Sequence, residues 1–136
     1  MSESPAAIVR AFFDRANASG TDGALELLAP DAVLVVPPEA SAEPDTYRGH
    51  DGARRYFSGF EGVLEEVRFE VLEVEPLNDD TVLVKTRLHG RGTTTGIAVD
   101  QDTFAVVTVR DGLVTWIKPF NERESALAAV RDGAQR

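Results

Sequence analysis

Cysteine is missing altogether from the chain, and with it go disulfides, thiolate nucleophiles and the Cys-based zinc and iron–sulfur centres. Positive charge is scarce. Fourteen Lys and Arg stand against 23 Asp and Glu, a net charge of −9, the wrong sign for a partner built of phosphates, so no nucleic acid is expected. No run approaches the roughly 20 apolar residues of a membrane helix. Met1-Ser2-Glu3-Ser4-Pro5 has neither the cationic start nor the apolar stretch of a secretory signal. The expectation is a cytoplasmic protein with no membrane contact. Histidine occurs only as His50 and His89, far apart and without carboxylates at ligand spacing, so neither a metal nor another cofactor is expected. Asn17-Ala18-Ser19 fits a glycosylation acceptor, but it falls inside a predicted helix and reads as chance.

What is present is ordinary. The 136 residues, 43% hydrophobic and 27% charged, suit one domain spanning 1–136, large enough to bury a core without a staple. Ser4-Pro5 is a capped helix start. Ile8, Phe12, Phe13 and Ala16 follow at helical spacing, and Ser19-Gly20 ends that helix before a short second one from Asp22 to Leu28. Ala32 to Val36 is an apolar, β-branched run and predicts a strand buried on both faces. Pro37 to Asp45 is a loop, Thr46 to Gly49 a brief strand, and Asp51 caps a helix from Gly52 to about Phe60 carrying Tyr56 and Phe57. From Glu66 the period becomes two, slipping after Val71 in the manner of a bulge. Asn78 to Asp80 is a turn, Thr81 to Arg91 a strand, Gly90-Arg91-Gly92 a connecting loop, and Ile97 to Arg110 a long strand. Asp111-Gly112 marks a hairpin, Leu113 to Phe120 the last strand, and Asn121 with Glu124 the start of a final helix. Helices first and four long antiparallel strands later make an α+β plan, a conical barrel in which a curved, mostly antiparallel sheet wraps around the N-terminal helices.

The strings Leu28-Ala29-Pro30-Asp31-Ala32-Val33, Tyr47-Arg48-Gly49-His50-Asp51-Gly52 and Gly90-Arg91-Gly92 leading to Gly96 join the hairpin Arg110-Asp111-Gly112-Leu113-Val114 and the ending Phe120 to Leu127. Together with the element order they resemble the nuclear transport factor 2-like (cystatin-like) superfamily, and within it the SnoaL-like branch of polyketide cyclase and ketosteroid isomerase-like proteins. The resemblance covers nearly the whole chain and implies the fold more than an activity. It implies a pocket for a small organic ligand, closed by helices over the concave sheet. The catalytic tyrosine and two aspartates of ketosteroid isomerases fall on Phe12, Val36 and Ala105, none of which moves a proton, so that mechanism is not expected. Glu39, Glu43 or Asp45 could supply a carboxylate from the adjacent loop. The Asp–Arg–Asp set of limonene-epoxide-hydrolase-like relatives falls on His89, Arg87 and Lys118, with the arginine kept.

Carried over residue by residue, the resemblance puts Arg87, His89, Trp116, Lys118 and Phe120 in the cavity, joined by Gln101, Thr103 and Ala105, with Phe12, Val33, Val35, Tyr56 and Phe57 as further lining. The functional expectation is an isomerase, cyclase or hydrolase of an apolar or aromatic small molecule, neutral or anionic. His89 would serve as acid and base, with Arg87 and Lys118 steadying an oxyanion. The alternative is a ligand-binding or accessory protein without catalysis. For the residues themselves the plainer reading is that Arg87 and Lys118 pair with acidic neighbours at the sheet's open edge and His89 is half-exposed. Asp100 and Asp102 lie on the face opposite Gln101. With the polar face of Lys85, Arg87 and His89 turned inward, Val82, Val84 and Leu88 would face out. A homodimer across the convex sheet is then expected to cover them.

Overall fold

The computed structural model describes residues 4–36, 45–61 and 63–131. The expected loop carboxylates Glu39 and Glu43 lie outside them, as does the side chain of Asp45. Helix α1 runs over Pro5–Leu25, its first turn capped by the Ser4 hydroxyl, which accepts from the Ala7 N–H at 3.2 Å. The two helices expected here are present and meet within α1 at Gly20, whose φ of +67° and ψ of −152° are non-helical and open to glycine at little cost; the second ends at Leu25 rather than Leu28. The bend folds Thr21–Leu25 back on the first segment: a Cβ on Gly23 would strike the Arg15 carbonyl.

Strand β1 (Leu28–Val36) starts earlier than the apolar run suggested, carrying Pro30 and Asp31 through a register shift. It is followed by β2 (Asp45–Arg48), α2 (Gly49–Glu61), β3 (Leu64–Pro76), β4 (Thr81–Gly92), β5 (Ala98–Arg110), β6 (Leu113–Phe120) and α3 (Arg123–Arg131). Gly90-Arg91-Gly92 belongs to β4 rather than to a loop: Gly90 pairs with Val99 and Arg91 with Ala98. The bulge expected after Val71 is present as a register shift between Val71 and Glu73. Asp111 and Gly112 both have positive φ, the backbone a two-residue hairpin turn requires.

The six strands form one sheet in the order β2-β1-β6-β5-β4-β3. All neighbours are antiparallel except β1 and β6, which run parallel. Its two faces are covered differently. On the concave side Val82, Val84, Ala105 and Val107 pack against Ile8, Val9 and Phe12 of α1 and Ala53 of α2. On the convex side Leu83, Val106, Trp116 and Phe120 pack with Ala126 of α3, flanked by half-buried Leu127 and Val130. Coverage on both sides is why β5 reads Val106-Val107 without a polar break.

This packing reverses the expected orientation of β4. Val82 and Val84 are nearly inaccessible inside the concave core, and Lys85, Arg87 and His89 point outward. In a strand the side chains alternate, so placing one residue on the wrong face misplaces every other. Among the described residues the large hydrophobics left exposed are Val63 (61%) and Ile97 (64%), so the valine face needs no second chain to cover it.

Candidate functional site

The helices do not fill the concave face completely. A cavity of about 120 Å³ remains between α1, α2 and the sheet, similar in size to the roughly 150 Å³ hydrophobic cavities that take up benzene. Its walls are mostly aromatic. Phe12 and Phe13 of α1 meet edge to face at 5.3 Å between ring centres, Phe13 leans on Phe69 of β3 at 5.7 Å, and Tyr56 and Phe57 of α2 meet at 5.4 Å. Leu34 of β1, Leu88 of β4, Ala105 of β5, and Ile117 and Pro119 of β6 complete the apolar lining.

Four polar side chains share this wall. Thr86 stands opposite Thr103 and Leu88 opposite Gln101 in the β4–β5 ladder, so the hydroxyls and the amide form one patch on adjacent strands. Their exposure grades from the inside out. Thr86 is 5% exposed, Thr103 is half-buried and Gln101 is exposed at the mouth. The Thr86 hydroxyl has no hydrogen-bond partner among the described residues, an uncommon state for a buried polar group. The fourth is Tyr56. Burial, with the neighbouring Tyr47 ring 5.4 Å away, pushes its phenol up to about 12. It therefore stays protonated at neutral pH. Among the described residues no Asp, Glu, His, Lys or Arg lines the cavity.

Of the residues expected at the site, Phe12, Tyr56, Phe57, Gln101, Thr103 and Ala105 line the cavity. Arg87, His89, Lys118, Trp116 and Phe120 do not, nor do Val33 and Val35. These sit on the convex face, Val33 and Val35 beside the cluster of Trp116 and Phe120. The physical reason is again parity. Matching Arg87, His89 and Lys118 to inward-facing positions of relatives is one residue out of phase, and the inward neighbours are Thr86, Leu88, Ile117 and Pro119.

On the convex face the ionic residues pair with one another. Arg87 donates from Nε and Nη2 to the two carboxylate oxygens of Asp102, at 2.7 and 3.2 Å. His89 has Nδ1 at 2.6 Å from Asp100 Oδ1 and Nε2 at 2.8 Å from Glu70 Oε1. The His89 hydrogen bond holds the Glu70 carboxyl below its usual range, and the Arg87 pair does the same for Asp102. The Lys118 ammonium lies 5.4 Å over the Phe120 ring. His50 donates from Nε2 to the Leu28 carbonyl at 2.8 Å and so ties α2 to β1. No group of three or more His, Asp or Glu among the described residues could hold a metal ion.

Sequence reasoning passed over Phe13, Phe69, Thr86 and Leu88 as lining. Thr86 was legible in principle, since it shares the parity of Val82, Val84 and Leu88, the apolar side of β4. Asn17 was also passed over, although it does structural work. Its amide nitrogen donates to the Phe69 carbonyl at 2.7 Å, and its oxygen accepts from the Phe69 N–H at 2.8 Å. One side chain thus covers the outer edge of β3 in the way another strand would.

Several solved structures share this architecture. TerC co-crystallised with polyporic acid is 21% identical, with a TM-score of 0.75 over 94% of this chain and 99% of that one. RV0760c from Mycobacterium tuberculosis in complex with estradiol-17β-hemisuccinate is 17% identical, with a TM-score of 0.72 over 90% and 97%. A putative SnoaL-like polyketide cyclase from Jannaschia sp. CCS1 is 19% identical, with a TM-score of 0.70 over 96% of each chain. At these identities the likeness is one of fold. No curated protein matches the sequence. The family model of the SnoaL-like domain matches residues 9–117, most of the chain, and the protein belongs to that family.

Proposed function

We propose that the protein binds an uncharged, largely apolar ring compound carrying one hydrogen-bonding oxygen, and that binding rather than proton transfer is what this cavity does. The single observation behind this is the lining: aromatic walls, a neutral polar patch and a buried Thr86 hydroxyl that a ligand oxygen would satisfy. General acid–base catalysis works best with a group that titrates near the operating pH, and Tyr56 is far from it. An anionic substrate gains nothing from Arg87 or Lys118, which lie across the sheet. That TerC and RV0760c were crystallised with polyporic acid and estradiol-17β-hemisuccinate supports a small-molecule pocket in this fold. The expected isomerase, cyclase or hydrolase would need a proton-transfer group from residues 37–45.

Calorimetric titration with the matched pair acetophenone and benzoate tests this reading. The neutral ketone should bind and the carboxylate should bind at least about tenfold more weakly, since a charge moved into an apolar cavity without a partner is costly. Equal binding of benzoate would place a cation in the site and restore a catalytic reading. For assembly we keep a homodimer through the convex face, resting now on half-buried Val33, Val35 and Phe104 beside Trp116 rather than on the valines of β4. A light-scattering mass of about twice the 14.7 kDa chain is expected, and the chain mass alone would remove it.

A further inference from the structure

Three of the polar side chains on the cavity wall form one row that runs from the interior to the mouth. Thr86 of β4 stands opposite Thr103 of β5, and Gln101 lies two residues before Thr103 on the same face of β5. Opposed residues of an antiparallel pair hold their Cβ atoms about 5 Å apart, so the two hydroxyls can share one acceptor. Two residues along a strand span about 7 Å, so the Gln101 amide is a separate station nearer the water. We infer that the cavity reads its ligand at both ends: the carbonyl oxygen of a neutral aromatic compound sits between Thr86 and Thr103, and a second neutral polar group, para to it on the ring, sits at Gln101. The inference rests on the binding reading above and extends it from one polar anchor to two, with Gln101 as the residue that selects the substitution pattern.

Three observations carry it. The first is that the inner station is unsatisfied. Thr86 is 5% exposed, and neither its hydroxyl nor that of Thr103 has a hydrogen-bond partner among the described residues. A carbonyl oxygen, with two lone pairs and no proton of its own to place, accepts from both. The second is length. The cavity of about 120 Å³ has room for one ring. With the carbonyl fixed at the two threonines, the far end of that ring comes out at the mouth, where Gln101 is exposed. A para substituent continues along the axis of the ring and meets the amide, whereas a meta substituent leaves that axis and turns toward the apolar walls. The third is chemistry. The Gln101 amide offers two N–H donors and a carbonyl acceptor, so it serves a hydroxyl group in both of its roles. No described charged side chain lines the cavity to favour an ionised group; Asp100 and Asp102, on either side of Gln101, are bonded to His89 and Arg87 on the other face. An apolar group at the same place would strip water from the amide and give it nothing in return.

The test compares acetophenone with its 4-hydroxy and 3-hydroxy derivatives by calorimetric titration at about pH 6, where the phenols are neutral. In the wild-type chain the 4-hydroxy compound should bind about fivefold more tightly than acetophenone, the worth of one neutral hydrogen bond, and the 3-hydroxy compound within about twofold of acetophenone. Gln101→Met keeps the length of the side chain and removes its polar atoms. There the 4-hydroxy preference should fall to about one, while acetophenone itself binds within about twofold of wild type. Gln101→Leu gives the same reading should the thermal melt of the first variant show a folding defect. Thr86→Val acts at the other station, so it should weaken both ketones alike and leave the preference at about fivefold. A 4-hydroxy compound no better than acetophenone, a 3-hydroxy compound that gains equally, a preference that survives loss of the Gln101 amide, or one that disappears in Thr86→Val overturns the second anchor and leaves the first reading standing. If acetophenone does not bind wild type, the binding reading itself fails.

Discussion

Replacing Thr86 with valine separates stability from recognition at one atom. The substitution swaps the hydroxyl for a methyl and keeps the β-branched shape that suits the centre of β4. Thr86 is 5% exposed and its hydroxyl has no partner among the described residues. A buried polar group left in that state costs about 1–3 kcal/mol, and the opening of the cavity toward water places this case at the low end. The expected result is a stabilisation of about 1 kcal/mol in the ligand-free protein. For a chain of this length that raises the thermal midpoint by roughly 3–4 °C, read by circular dichroism. The same change should weaken acetophenone by about fivefold, the worth of one neutral hydrogen bond, and leave benzene unchanged. The pair of ligands isolates the oxygen from the ring. A lower thermal midpoint in Thr86→Val would show that the hydroxyl has a partner within the protein. Equal losses for acetophenone and benzene would show that it does not face the ligand.

Three further outcomes follow from the geometry. Asn17→Ala should cost about 1 kcal/mol in urea denaturation, since it strips the covering bonds from the β3 edge at Phe69; no loss would mean the edge is solvated anyway. Glu70 and Asp102 both have lowered values in the folded state, so the stability they lend is present above the ordinary carboxylate range, near pH 4, and is lost as pH falls through the lowered values. The double variant Glu70→Gln, Asp102→Asn should therefore flatten the decline of the urea midpoint as pH falls below about 4, whereas an unaltered decline would place the acid sensitivity elsewhere. Replacing Arg87, His89 and Lys118 by alanine, singly, should leave acetophenone affinity within about twofold, because each lies across the sheet from the cavity. A larger loss in any of them would return that residue to the site.

Much of the fold is legible in the sequence because its signals are local. Ser4-Pro5, the slip after Val71 and Asp111-Gly112 each act within a few residues, and each marks the structural feature expected there. Gly20 is legible as a break and does separate two helical segments, the second ending at Leu25 rather than at Leu28. The site is different. Period-two alternation says that Arg87 and His89 share a face and that Val82, Val84 and Leu88 share the other, and no local rule says which face is concave. The apolar side of β4 was the better indicator, because that face must meet the helices, and a resemblance between strands one residue out of phase overrode it. The lining residues from helices escape this ambiguity: Phe12, Tyr56 and Phe57 lie on the apolar sides of α1 and α2, and the apolar side of a helix points to the sheet whatever the register.

The parallel seam between β1 and β6 has a consequence for how the chain is made. Strands β3 to β6 are successive hairpin neighbours, and each can pair as soon as the next leaves the ribosome. The N-terminal block of α1, β1, β2 and α2 has no such neighbour. Its link to the sheet joins Leu34 to Ile117, a contact of high sequence separation and therefore slow to form. Until β6 has been synthesised, β1 waits with one edge unpaired and with Leu34 and Val36, both buried in the finished protein, open to other chains. Fragments that stop short of Leu113 should therefore aggregate rather than hold a smaller native core, and the synthesis of β6 is also the step that joins the two halves of the sheet.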